Sequence, residues 1–167
     1  GRVSVSSIAV QFGERTLGTL AGRTVMIIGA GKTSELSLRS LAEKGVRDVL
    51  VLNRSPQRAA VLADRHGGRA VPYDRLAEFL PQVDIVISST NAPHYVLSRE
   101  GVARAMAARP DRPLLLIDIA VPRDVEESAG TVPNVHLFNI DDLEQTAAGN
   151  LAKRQQALGQ AEAILLE

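Results

Sequence analysis

Residues 29–34 read Gly-Ala-Gly-Lys-Thr-Ser, and two phosphate chemistries compete for them. Gly31-Lys32-Thr33 carries the closing letters of a nucleoside-triphosphate loop. That motif needs its first glycine five positions before the second, which is Met26, inside the apolar run TVMIIG (24–29). No loop forms there, so the triphosphate reading fails on spacing. The other reading is a G-x-G-x-x-G turn between a strand and a helix. Gly29 allows the tight turn, Gly31 lets the backbone approach a diphosphate, and the helix start offers free N–H groups at its positive dipole end. The third position is Ser34 rather than glycine, and a small hydroxymethyl group still permits close helix–strand packing.

A second site lies after the next apolar run, at Asn53-Arg54-Ser55. A carboxylate about 20 residues beyond the glycines would bind a ribose 2′-hydroxyl and repel a 2′-phosphate. None stands here. A guanidinium at Arg54 can stack on adenine and pair with a phosphate, and Ser55 can hydrogen-bond to it. The pattern favours NADP(H) over NAD(H). The competing reading makes Arg54 a solvated surface residue and Ser55 a helix cap. Further along, SSTNAP (88–93) puts Ser89 and Thr90 beside the cofactor path, and DIAVPRDV (118–125) clusters Asp118, Arg123 and Asp124. That cluster suits a site wall or a domain contact equally with an Arg–Asp pair holding a loop. His66, His94 and His136 match no metal-ligand spacing, and no Ser–His–Asp arrangement is present. With no cysteine anywhere, thiolate nucleophiles, disulfides and thiolate metal sites are excluded for this chain.

The elements that must hold these groups are legible as alternating runs. TVMIIG (24–29), DVLVLN (48–53), RAVPY (69–73), DIVISST (84–90), PLLLIDIA (113–120) and NVHLFNI (134–140) are nearly all apolar, as parallel strands covered on both faces require. Between them lie helical segments. Residues 32–43 place Leu36, Leu38, Leu41 and Ala42 near one face, and Gly45 marks the stop. Residues 55–68 begin with a Ser55 cap and Pro56. Residues 98–110 begin with Ser98 and stop at Pro110. The expected fold is α/β, a doubly wound, mainly parallel sheet of the Rossmann NAD(P)-binding type.

The expected domains are a lead-in helix over residues 1–23, the cofactor domain over 24–140, and a long amphipathic helix over 141–167. That last helix would start after an Asp141–Asp142 cap, with Leu143, Ala147, Leu151, Leu158, Ala161 and Leu165 as its apolar stripe. The opening GRVSVSS reads as mid-chain sequence. Nineteen basic residues balance nineteen acidic ones and aromatics are 3%, which gives no case for a nucleic-acid surface. No membrane-length apolar run or signal pattern is present, so a cytoplasmic protein is expected.

The series SVSSIAV, IIGAGKTSEL, VLNRSPQRA, DIVISSTNAP, LLLIDIAVPRDV, NVHLFNIDDL and NLAKRQQA closely resembles, in order, the central NADPH-binding domain of glutamyl-tRNA reductase. ISSTNAP and DIAVPRD carry more of that resemblance than the glycine turn does. The resemblance implies an NADPH-dependent oxidoreductase that reduces glutamyl-tRNA to glutamate-1-semialdehyde, at the entry to tetrapyrrole synthesis through 5-aminolevulinate. It also implies that the nucleophilic cysteine sits in a preceding domain, so this chain alone binds cofactor without catalysis. The resemblance further implies a homodimer formed through a C-terminal domain reached by a spinal helix, and a downstream aminomutase as partner. Cofactor contacts carry over to Gly29, Ala30, Gly31, Lys32, Thr33 and Ser34, to Asn53, Arg54 and Ser55, and to Ser89, Thr90 and Asp118. The alternatives are a shikimate-dehydrogenase-like NADP domain, against which DIAVPRDV counts, and a Rossmann module that only mediates assembly.

Overall fold

The computed structural model describes residues 5–146 and residue 149. Its centre is one six-stranded sheet in the order β3-β2-β1-β4-β5-β6. The strands are β1 (Thr24–Ile28), β2 (Asp48–Leu52), β3 (Arg69–Ala70), β4 (Ile85–Ser88), β5 (Leu114–Asp118) and β6 (Val135–Asn139). Every neighbouring pair is parallel. The chain begins at the centre, winds outward to β3, then crosses back to β4. The strand order therefore reverses between β1 and β4, where a doubly wound sheet opens a crevice at its carboxyl edge.

The apolar strand runs follow from two covered faces. Val25, Ile27, Val49, Val51, Ile85 and Ile87 point to one side, against helices α1 (Val5–Leu17), α2 (Lys32–Ala42) and α3 (Pro56–Arg65). Met26, Ile28, Leu50, Leu52 and Val86 point to the other, against α4 (Leu76–Phe79) and α5 (Arg99–Ala107). Successive strand residues alternate between faces, so both sets must be apolar. On the lead-in helix, Phe12 stacks on Phe138 of β6, with ring centroids 4.0 Å apart.

All six expected strands form, with β3 cut to two residues. Pro72 cannot donate to a ladder, and the chain turns there into short helical pieces, Tyr73–Arg75, α4 and Leu80–Gln82, which the sequence pattern does not announce. Two helix expectations need correction. The buried face of α2 is Ser34, Ser37, Leu38 and Leu41, whereas Leu36 is 42% exposed. Small hydroxyl residues occupy the turn that sits closest to the sheet, and the stripe rotates accordingly. The last helix starts at residue 140 rather than after Asp142. Asn139 caps it reciprocally: the Asp142 N–H donates to the Asn139 side chain at 3.0 Å, and the Asn139 N–H donates to the Asp142 carboxylate at 2.9 Å. Leu143 is buried as expected. Ala147, Leu151, Leu158, Ala161 and Leu165 lie outside the described residues.

At the amino edge of the sheet, Arg109 follows α5 and is buried. Its guanidinium donates to the carbonyls of Val83, of Pro113 at 2.9 Å and of Pro81 at 3.3 Å. Asp84 lies 4.0 Å away and accepts from the Thr24 N–H at 2.9 Å and from Arg112 at 3.0 Å. Burial, with the Arg112 charge adding to it and Asp84 opposing, pulls the Arg109 pKa down to about 10. The group is still cationic at neutral pH.

Candidate functional site

The crevice at the carboxyl edge is lined by Gly29, Ala30, Gly31, Asn53, Arg54, Arg58, Tyr73, Ser89, Thr90, Asn91 and Ala92, and encloses about 260 Å³. It lies at the strand-order reversal, so the loops after β1, β2 and β4 converge on it. The β1 loop shows why two glycines stand there. Gly29 has φ +99°, and a Cβ on it would lie 2.8 Å from the Ser89 carbonyl oxygen. The turn needs both the left-handed backbone and the absent side chain. Gly31 has an ordinary φ of −79°, and a Cβ there would meet nothing nearer than the Ser89 hydroxyl at 4.0 Å. What its missing side chain leaves open is the crevice.

Helix α2 begins at Gly31 with no side chain capping its first amides. An uncapped helix start facing a polar crevice is a ready anion site. Ser34 does not face that space. It is fully buried, and its hydroxyl hydrogen-bonds the Ser89 hydroxyl, tying the first turn of α2 to the end of β4. The side chains of Lys32 and Thr33 are exposed in that turn and outside the lining.

At the opposite end of the crevice, Arg54 is exposed and lies over the Tyr73 ring, 5.8 Å from its centroid. Asn53 and Arg58 join it in the wall. The Ser55 hydroxyl caps α3, accepting from the Arg58 N–H at 3.3 Å. The sequence reading missed Arg58, Tyr73, Asn91 and Ala92. A signal existed for Arg58, four residues after Arg54 and in the first turn beyond the Ser55 cap. None existed for Tyr73, which arrives from beyond β3 by tertiary folding.

Asp118 departs from the cofactor-contact expectation. It is 1% exposed and outside the crevice lining. One carboxylate oxygen accepts from the Ala120 N–H at 3.1 Å, the other from the Asp124 and Val125 N–H groups at 3.0 and 2.8 Å. Burial raises its pKa, the three N–H donors oppose the rise, and the Asp124 charge adds to it. Arg123 pairs with Asp141 at 3.3 Å and Glu127 at 3.6 Å rather than with Asp124. The charged cluster is thus two buried acids holding loops and one arginine tying the β5 loop to the last helix.

Glu35, in the first turn of α2, hydrogen-bonds His66 at 3.2 Å and pairs with Arg65 at 3.3 Å. The His66 hydrogen bond is the largest cause of a pKa below the usual carboxylate range. A second cleft of about 340 Å³ opens at the amino edge near Thr24, Asp48 and Gly68 and contains none of the candidate residues. Among the described residues, no group of acidic and histidine side chains could hold a metal ion, and no helix is long and apolar enough to cross a membrane.

Residues 11–146 match the family model described as shikimate/quinate 5-dehydrogenase. The chain belongs to that family. Within it, the relatives match the resemblance drawn from the sequence. The glutamyl-tRNA reductase of Moorella thermoacetica is 55% identical over 98% of the chain, and that of Deinococcus radiodurans is 49% identical over 99%. The chain spans 37% and 47% of those two proteins. The solved glutamyl-tRNA reductase from Methanopyrus kandleri superimposes with a TM-score of 0.88 at 43% identity, over 98% of this chain and 41% of that one. The nucleotide-binding domain of the Thermoplasma volcanium enzyme shares the fold, with a TM-score of 0.70 at 17% identity, over 93% of this chain and 99% of that one. The family member described here is thus an α/β dehydrogenase-type nucleotide-binding domain. The cofactor class is a nicotinamide dinucleotide, and the open glycine turn with its uncapped helix start fits the diphosphate such a cofactor carries.

Proposed function

We propose that this chain is the NADPH-binding domain of a glutamyl-tRNA reductase. The observation that carries the choice of cofactor is Arg54, held over Tyr73 at the adenosine end with Arg58 beside it and no acidic residue in the lining. Two guanidiniums without a competing carboxylate suit a 2′-phosphate and give no advantage to a bare ribose. In this reading Gly29, Ala30 and Gly31, with the amides of Lys32, Thr33 and Ser34, hold the diphosphate. Asn53, Arg54 and Ser55 read the adenosine ribose and its phosphate. Ser89 and Thr90 border the far half.

When bound, the dinucleotide supplies a hydride. The chain's own residues bind and orient it, and the crevice beneath the loops after β1 and β4 excludes water from one side. The nucleophilic cysteine that the resemblance implies is not in this chain, and on this reading the acyl chemistry belongs to another part of the longer protein. That protein would reduce glutamyl-tRNA to glutamate-1-semialdehyde in the cytoplasm. It would pair as a homodimer through a separate helical domain and pass its product to an aminomutase.

The test is a titration of the domain with NADPH and NADH, followed by nicotinamide fluorescence, which no tryptophan obscures. Arg54→Ala is expected to weaken NADPH binding by about 1.5–3 kcal/mol through loss of a charge-assisted contact, with NADH nearly unaffected. Equal weakening of both would remove Arg54 from phosphate recognition. For the activity, the full-length protein should oxidise NADPH with glutamyl-tRNA as acceptor and leave shikimate untouched.

A further inference from the structure

The glycine turn and the arginines account for half of the crevice. Apart from Asn53 and Tyr73, the remainder of its wall is Ser89, Thr90, Asn91 and Ala92, the start of the long connection from β4 to α5. This stretch has no regular structure of its own, so something else must fix its shape.

Asp124 does so at both ends of the connection. Its carboxylate, fully buried, accepts from the Ser88 hydroxyl at 2.6 Å, from the Thr90 N–H at 2.8 Å and from the Thr90 hydroxyl. Its backbone carbonyl accepts from the Val96 and Leu97 N–H groups at 2.6 and 3.1 Å. Thr90 passes the restraint on, since its hydroxyl accepts from the Ala92 N–H at 3.1 Å. Asp124 is itself fixed by Asp118, whose carboxylate accepts its N–H at 3.0 Å. Two buried acids in series therefore connect the end of β5 to the crevice wall. Asp124 is not in the lining, so it acts through Thr90.

We propose that Asp124 is a positioning residue for the nicotinamide half of the dinucleotide, holding the β4–α5 connection in the shape that half needs. The proposal rests on the nicotinamide-dinucleotide reading given above. A dinucleotide bound across the strand-order reversal has its adenosine on the β2 side and its other half beyond β4. The Asp124 contacts all fall on the β4 side, whereas Asn53, Arg54, Arg58 and Tyr73 lie on the other.

This division makes the test specific. Two probes are titrated, NADPH and adenosine 2′,5′-bisphosphate, the second lacking the nicotinamide half. Both should bind the unaltered domain. If neither binds, the cofactor reading itself fails, a result distinct from the outcomes below. Asp124→Ala is expected to weaken NADPH roughly tenfold or more by releasing the loop, with the bisphosphate unchanged within about twofold. Asp124→Asn should restore most of the NADPH affinity. Its amide oxygen can accept from Ser88 and the Thr90 N–H, and its NH2 can donate to the Thr90 hydroxyl. Thr90→Val removes the hydroxyl from one carboxylate oxygen and leaves the Ser88 hydroxyl and the Thr90 N–H on the other. It should show the same selective loss in smaller measure, even if Asp124→Ala does not fold. Parallel loss of both probes, or no loss of NADPH affinity in either variant, would overturn the proposal.

Discussion

Gly31→Val is expected to abolish dinucleotide binding, by at least about a hundredfold in affinity, while thermal unfolding stays where it was. Both halves of that expectation come from local geometry. The backbone at Gly31 has φ −79° and ψ 168°, which any residue adopts, so valine introduces no strain. A Cβ would have the Ser89 hydroxyl, at 4.0 Å, as its nearest neighbour, so the folded core is untouched. The branched side chain would instead fill the space over the uncapped start of α2, where a diphosphate has to come within hydrogen-bond distance of backbone amides. Gly29→Ala is the contrasting case. At φ +99°, and with a Cβ 2.8 Å from the Ser89 carbonyl oxygen, it should lower the melting temperature as well as binding, because strain of about 1–3 kcal/mol enters the fold itself. Circular dichroism melts run beside the titrations separate the two. A large drop in the Gly31→Val melting temperature would make that glycine structural, and retained binding would move the diphosphate elsewhere.

Arg109→Ala should have the converse signature: a loss of stability of about 3 kcal/mol or more, measured by urea unfolding, with cofactor affinity of the folded protein unchanged. The side chain is 2% exposed and fills space at the amino edge, the opposite end of the strands from the crevice. Removing it leaves a cavity. It also strips the carbonyls of Val83 and Pro113 of a charged donor and takes one cation from beside the buried Asp84. Each newly unsatisfied buried group adds its own cost. A variant of unchanged stability would mean that Arg112 and Arg23, the other cations at Asp84, replace it fully.

The sheet was legible in the sequence because its chemistry is uniform. Strands covered on both faces must be apolar throughout, and β1, β2, β4 and β5 announced themselves on that ground, whereas RAVPY gave a weaker signal and forms only the exposed two-residue β3. The glycine turn was legible for the same kind of reason, since few residue types satisfy its backbone. Reading failed where the deciding term was an encounter between distant segments or the local path of an irregular loop. Leu36 looked like core, yet Ser34 and Ser37 occupy the buried face because the helix start sits close to the sheet. Asp118 looked like a ligand for the crevice, and local spacing did not show that three backbone amides would take its oxygens. Tyr73 and Arg58 reach the site only once β3 and α3 have docked. Asp141–Asp142 was read as a cap, whereas Asn139, one residue before the helix begins, takes that role with Asp142 as its partner.

The resting arrangement of Arg54 bears on how the crevice exchanges its guest. Among the described residues, this guanidinium leans on the face of an aromatic ring and is bound by no acid. On the proposed reading, an arriving 2′-phosphate therefore displaces no acid and breaks no charge pair among the described residues. On that reading the positive end stays available, and the cofactor's entry and departure ask for little rearrangement of the protein at that corner.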